Sequence, residues 1–184
     1  ARSLRLWRIF PRVISLQSND FELFGLPMGF ALARESVDAR WKELQREAHP
    51  DKFAAQGDAA QRLAMQWSVR VNEAYQRLKN PLQRAAYLCA LQGAPIQAHS
   101  NTAMAPAFLM QQIEWREALD DAGALADLEA LVASVDSTQS DLLALCADAL
   151  DDRQDYPAAV PLVRSLMFIE KFRHDLDARF DALS

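Results

Sequence analysis

Residues 44–53 read Leu44-Gln45-Arg46-Glu47-Ala48-His49-Pro50-Asp51-Lys52-Phe53, a polar proline corner that directly follows an amphipathic stretch. Before the corner, apolar residues recur at the three- and four-residue spacing of one helical face: Val37, Trp41, Leu44 and Ala48. Pro50 lacks a backbone donor and pushes the preceding residue out of the helical region. The sequence therefore predicts a helix over residues 35–48 that ends at His49.

A second amphipathic helix follows the corner after a polar loop that contains Gly57. Asp58 is placed to cap this helix, and Asn80-Pro81 ends it. Its apolar face is predicted to comprise Leu63, Trp67, Val71, Ala74 and Leu78. Because the loop between the two helices is short, they must pack antiparallel, with the corner at the tip of the hairpin.

Short helices are predicted on both sides of this hairpin. An apolar helix begins at Asp20 and stops before the breakers Pro27 and Gly29. Pro81 suits the first position of a further helix, which stops at Gly93. Residues 94–105 are rich in breakers and small polar residues, so we expect a linker there.

The remainder of the chain predicts three long helices, over about residues 106–121, 125–152 and 157–183. Their separators are short, so neighbouring helices must run antiparallel and form a three-helix bundle. Scarce glycine, frequent alanine and leucine, and scattered valine and isoleucine all favour helices over strands. We therefore predict an all-α protein with two domains, residues 19–93 and 106–184.

Charge is distributed unevenly between the two predicted domains. The net charge is −5, but residues 106–184 carry six lysines and arginines against sixteen aspartates and glutamates, a net −10, which leaves +5 for residues 1–105. The two halves are therefore expected to meet different partners. Hydrophobic residues make up 51% of the chain, enough for a core, and no apolar run reaches the roughly 18 residues of a membrane span.

Residues that could carry chemistry are sparse. Cys89 and Cys146 each lie in an apolar helical run, which predicts reduced, buried thiols, and without a CxxC pair a structural zinc site has no support. His49 and Asp51 have no serine or cysteine nucleophile placed with them, and glycine-rich phosphate loops are absent. We expect no enzyme activity, no cofactor and no metal.

The first eighteen residues carry Arg2, Arg5, Arg8 and Arg12 and no acidic residue. We interpret residues 1–18 as a disordered extension, a remnant of expression cloning, or the product of a start codon placed too far upstream. A mitochondrial targeting segment is the alternative, although Pro11 interrupts any amphipathic helix there.

The helix, His49-Pro50-Asp51 loop and helix resemble a J-domain, as does the later string Asn72-Glu73-Ala74-Tyr75. Three further strings resemble the HscB family: Phe21-Glu22-Leu23-Phe24-Gly25-Leu26-Pro27, Pro81-Leu82-Gln83-Arg84-Ala85-Ala86-Tyr87-Leu88 and Phe108-Leu109-Met110-Gln111-Gln112-Ile113-Glu114. The resemblance covers about residues 19–184. It implies a J-domain joined to a three-helix bundle in an L shape, and a co-chaperone that stimulates the ATPase of an HscA-type chaperone and delivers an IscU-type iron–sulfur scaffold protein to it.

The resemblance implies a chaperone-binding set, which comprises His49, Pro50, Asp51, Lys42, Arg46, Arg40 and Lys52. Cations on this helix would meet carboxylates on the chaperone and steer the encounter. Without the adjoining corner, Lys42 and Arg46 would be interpreted as an ordinary solvated helix face. Ala48 departs from the family pattern, since J-domains often carry tyrosine there.

A second set implied by the resemblance would bind the scaffold protein. Helical spacing groups Leu109, Met110, Ile113, Glu114 and Glu117 on one side of their helix, and Phe108, Gln112, Trp115 and Leu119 largely on the other. An apolar stripe alone is more often core, but the first group and Phe168 match the family's scaffold-binding patch. Ile113 and Trp115 stand where leucines are expected, which leaves the membership of the patch open.

Two other functions are weighed against this hypothesis. One is a J-domain co-chaperone of a general DnaK-type chaperone with other clients. The other is a helical nucleic-acid-binding protein that uses the front arginines, against which the acidic pI of about 5.2 argues.

We expect a monomer or weak oligomer without nucleic-acid or membrane partners. The sequence lacks the cysteine-bearing extension of animal relatives, which favours a bacterial cytoplasmic protein over the mitochondrial matrix.

Overall fold

The computed structural model describes residues 14–97 and 104–184, and all regular structure in these ranges is helical. The chain divides into two compact units between Arg84 and Ala85. Residues 1–13, with the four front arginines, and residues 98–103 of the predicted linker lie outside the described ranges. The helices are α1 (Asp20–Phe24), α2 (Arg34–Ala48), α3 (Asp58–Lys79), α4 (Pro81–Leu91), α5 (Pro106–Asp121), α6 (Leu125–Ala147) and α7 (Tyr156–Leu183).

The α2–α3 hairpin is antiparallel, as predicted. Near its open end the Arg34 guanidinium donates to the Tyr75 hydroxyl (3.3 Å), and near its tip the Ser68 hydroxyl donates to the Ala48 carbonyl (3.1 Å). Later residues of α2 therefore contact earlier residues of α3, as an antiparallel pair requires. A 3₁₀ segment, Pro50–Gln56, closes the tip, and its Phe53 is buried beneath it.

Two details of α3 differ from the prediction. Leu63 is 38% exposed, and the buried position is Ala64. Since one residue turns a helix by about 100°, Ala64 continues the spacing of the buried face at Trp67 and Val71, whereas Leu63 lies to the side. Asp58 is the first residue of the helix rather than its cap; the N-cap is Gly57, and no side chain caps this end.

A buried carboxylate joins α1 to the hairpin. The Asp20 side chain is fully buried, and its two oxygens lie 2.7 Å from the Arg70 Nη2 and 2.6 Å from the Arg77 Nε. Arg70 also donates to the Leu16 and Ser18 carbonyls, at 3.2 Å and 2.7 Å. A buried carboxylate is tolerated when cations and hydrogen bonds satisfy it, so this cluster fixes the start of the folded region against α3.

The second unit contains the predicted three-helix bundle. The Trp115 indole on α5 donates to the Ser134 hydroxyl on α6 (3.1 Å), and Arg173 on α7 donates to Gln139 on α6 (2.6 Å). Between α5 and α7, Trp115 stacks on Phe172 with ring centroids 5.8 Å apart. The predicted helix over residues 125–152 has the expected extent, but its last turn, Asp148–Asp152, is π-helical.

Both cysteines are buried and reduced, as predicted, on α4 and α6. Burial raises the pKa of the Cys89 thiol to about 11 and, together with the neighbouring Cys89, that of Cys146 to about 12. The thiols of an unfolded chain titrate at about pH 8.5. Between that pH and the thiol pKa values of the folded chain, the unfolded chain loses protons that the folded chain keeps. The free energy of unfolding must therefore fall as pH rises.

We expect this loss to be visible in urea unfolding from pH 7 to pH 10.5, with the thiol contribution intact below about pH 8. The Cys89→Ala/Cys146→Ala double variant should show a flatter decline in the free energy of unfolding, because it has no thiols to titrate. Equal slopes for the variant and the parent chain would contradict this account.

Candidate functional site

The His49-Pro50-Asp51 corner is a closed, preformed turn. His49 leaves the helical region (φ −61°, ψ 127°), and Pro50 starts the 3₁₀ segment. The Lys52 amide donates to the His49 carbonyl (3.0 Å), while buried Phe53 anchors the turn from below. The side chains of His49 and Asp51 remain 56% and 86% exposed.

One ring nitrogen of His49 is used by the corner itself. The Asp51 amide donates to His49 Nδ1 (3.3 Å), and an Asp51 carboxylate oxygen lies 3.5 Å from the same nitrogen. In the neutral imidazole, a nitrogen that accepts leaves the proton on the other one. When the imidazole is neutral and Nδ1 accepts this bond, Nε2 carries the proton and is available as a donor on an exposed side chain, beside the exposed carboxylate of Asp51.

Three of the four predicted chaperone-binding cations face solvent. Lys42 and Arg46 lie one turn apart on α2, Lys52 follows the corner, and none of the three forms a salt bridge with any described residue. Arg40 is different, because its guanidinium donates to the Phe24 carbonyl (3.0 Å) and to Glu43 (3.0 Å). Arg40 thus also holds α1 to α2.

Contacts along the seam of the hairpin determine which way α2 is turned. The Trp41 indole and the Gln45 amide both donate to the Asn72 side-chain oxygen, at 2.9 Å and 2.7 Å, and Trp41 stacks on Tyr75 with centroids 4.7 Å apart. Since Trp41 and Gln45 face α3, Lys42 and Arg46 are turned outward. The sequence prediction used Trp41 only as a core residue and assigned no role to Gln45.

At the open end of the seam, the Asp38 carboxylate accepts from Arg34 (2.7 Å) and from the Tyr75 hydroxyl (2.9 Å). The hydrogen bond from Arg34 is the main reason that the pKa of Asp38 is lowered. This cluster was not singled out from the sequence, because its members are up to 41 residues apart.

The predicted division of α5 into two faces is present in the structure. Phe108 and Trp115 are buried, and Gln112 and Leu119 are half-buried. On the other face, Leu109, Met110 and Ile113 are 45%, 58% and 51% exposed. Glu114 and Glu117 are also exposed and border these apolar side chains. The stripe is therefore not bundle core.

Phe168 on α7 is half-buried beside α5. Its ring meets Phe108 edge-on (5.8 Å between centroids) and stacks on Phe172 (5.8 Å). The Arg116 guanidinium lies 5.5 Å above the Phe168 ring, a cation–π contact that sequence reasoning missed. We define the α5 patch as Leu109, Met110, Ile113, Glu114, Glu117 and Phe168.

Within residues 14–97 and 104–184, no group of three histidine, cysteine or acidic side chains is arranged to hold a metal ion. None of the helices in these ranges is both long and apolar enough to cross a membrane.

Comparison with known proteins relates this chain to one family. Residues 104–177 match the family model described as the HSCB C-terminal oligomerisation domain. The "Co-chaperone protein HscB homolog" of Azoarcus sp. (strain BH72) is 46% identical over 173 residues, which cover 92% of this chain and 98% of the relative. The protein of the same name from Burkholderia thailandensis is 46% identical over 174 residues, which cover 93% and 99%.

Solved structures show the same similarity. The chaperone HscB from Vibrio cholerae has a TM-score of 0.78 at 36% identity and covers 91% of this chain and 100% of its own. The human co-chaperone HscB has a TM-score of 0.84 at 23% identity, with 90% and 84% covered, and supports the fold alone.

Proposed function

The chain belongs to the HscB family of co-chaperones, and from that premise we propose that it stimulates the ATPase of an HscA-type chaperone and delivers an IscU-type iron–sulfur scaffold protein to it. The observation that carries the proposal is the exposed His49-Pro50-Asp51 corner at the tip of a paired helical hairpin. The chain itself would catalyse no reaction; ATP would be hydrolysed by the chaperone.

At the corner, the proposed contact uses one donor and one acceptor in a fixed geometry. His49 Nε2–H and the Asp51 carboxylate would hydrogen-bond to the chaperone, while Lys42, Arg46 and Lys52 would face its carboxylates. Exposed charges of this kind steer association and set orientation more than they add affinity. We therefore expect fast, weak docking, as an adaptor that acts repeatedly requires.

On the second unit, the α5 patch would bind the scaffold protein. Its exposed aliphatic centre and acidic border suit a partner surface that is apolar and basic. This patch favours a dedicated scaffold client over the clients of a general DnaK-type chaperone, since the corner alone would serve either chaperone. We further propose a monomer or weak oligomer in the cytoplasm of a bacterium, in line with the bacterial relatives.

Two measurements with the purified chain test this proposal. The steady-state ATPase rate of an HscA-type chaperone is measured against the concentration of this chain, and an IscU-type scaffold protein is titrated calorimetrically with and without its cluster. We expect saturable stimulation and stoichiometric scaffold binding. Stimulation of DnaK but not of the HscA-type chaperone, without scaffold binding, would favour the general co-chaperone instead.

A further inference from the structure

Two aliphatic side chains on α3 face solvent outside the surfaces described so far. Met65 is 54% and Val69 is 50% exposed. They are four residues apart, so they lie on the same side of the helix, one turn from each other. The core needs neither of them, because α3 contributes its buried face through Ala64, Trp67, Val71, Ala74 and Leu78.

Their direction follows from the seam between α2 and α3. Ser68 and Asn72 are two of the α3 residues that face α2, through bonds to Ala48 and Gln45. At about 100° per residue, Met65 and Val69 lie just beyond Ser68 and Asn72 on the side away from the core.

The same rotation places two cations on α2 on this outer side. Trp41 and Gln45 face α3, and Lys42 and Arg46 lie just beyond them. The apolar pair on α3 and the basic pair on α2 therefore lie on the same outer face of the hairpin. The seam between the two helices runs between them.

This outer face is continuous with the corner. The Ser68 hydroxyl bonds to the carbonyl of Ala48, so Val69 lies beside the last turn of α2, directly before His49. Exposed Arg62 and Glu73 lie on the same side of α3 and border the apolar pair. A partner that covers the corner and the α2 cations would reach Met65 and Val69 without a gap.

We propose that Lys42, Arg46, Met65 and Val69 form one docking strip that is covered by the ATPase chaperone of the proposed function, on which this inference rests. The chaperone surface that fits is an aliphatic contact bordered by carboxylates, since the strip is apolar on one side and basic on the other. Met65 and Val69 hold the partner, and the corner carries the signal for ATP hydrolysis.

The test is ATPase stimulation by the full chain carrying Met65→Gln and Val69→Thr, which keep the size of both side chains and add polarity. The half-maximal concentration of co-chaperone should rise about tenfold, because apolar burial at the interface is lost. The maximal rate should stay unchanged, as should helicity by circular dichroism and calorimetric binding of the scaffold protein. Leu63→Gln is the matched control, an exposed aliphatic residue on another side of the same helix.

Three results overturn the inference. If the double variant and the Leu63→Gln control have the same half-maximal concentration while His49→Gln abolishes stimulation, the proposed function stands and the strip is wrong. If the parent chain gives no stimulation, both fail. If sedimentation velocity shows self-association that the double variant removes, with no change in stimulation, the strip is covered by a second copy of this chain.

Discussion

Replacing His49 by glutamine should reduce ATPase stimulation by on the order of 100-fold, because the acceptor that closes the corner is lost and the distal donor is no longer held in place for a central interface contact worth about 3 kcal/mol. The side chain has two proposed functions: Nδ1 accepts from the Asp51 amide, and Nε2–H would donate to the chaperone. The side chain is 56% exposed, so the melting temperature should change little.

A companion variant, His49→Asn, removes the distal donor of His49, whereas His49→Gln removes the local acceptor. In His49→Asn, the side-chain oxygen takes the position of Nδ1 and keeps the bond to the Asp51 amide, whereas the distal donor is lost. Glutamine keeps a distal NH₂ donor and loses the local acceptor. We expect both variants to fail in the ATPase measurement, because the proposed contact needs a donor on a correctly closed corner. Near-normal stimulation by both would remove the corner from the proposed function.

The second large effect is expected at the α5 patch. Leu109→Ala combined with Met110→Ala should weaken binding of the scaffold protein about 100-fold, because two exposed aliphatic anchors are removed and partial non-additivity limits the sum to roughly 3 kcal/mol. Isothermal titration calorimetry measures the loss. Both side chains are about half exposed in the free chain, so the fold should tolerate the change.

The matched control for this pair is Leu145→Ala. Leu145 is 50% exposed on α6 of the same unit and lies outside the α5 patch, so its truncation should leave scaffold affinity within about twofold. Stimulation of the chaperone in the absence of scaffold should survive both in the Leu109→Ala/Met110→Ala variant and in Leu145→Ala. If Leu145→Ala weakens binding as much as the double variant, the scaffold protein does not dock where we propose.

Local signals predicted most of the helices. Pro106 starts α5, Ala122-Gly123 separates it from α6, and the apolar spacing of α5 distinguished the buried Trp115 from the exposed Ile113. These features depend on backbone restrictions and on the helical repeat, which can be read within a few residues. The corner was predictable for the same reason, since a proline at the end of an amphipathic helix forces a turn.

Features that depend on distant partners were not predictable. Asp20 looked like the polar start of a short helix, but it is fully buried against Arg70 and Arg77, which lie fifty or more residues away. Arg40 looked like a free surface cation, but it bonds to the Phe24 carbonyl. The contact between Arg116 and Phe168 likewise joins separate helices. Helical periodicity shows which side of a helix faces inward, but it does not show which residue of another element lies there.

The bond between His49 Nδ1 and the Asp51 amide, together with the buried Phe53, means that the corner is already closed before any partner arrives. Docking onto a preorganised surface sacrifices little conformational entropy, so a small contact suffices and the residence time can remain short. If the proposed docking holds, one molecule of this chain would release one chaperone quickly enough to engage the next, and substoichiometric amounts would keep a larger pool in turnover.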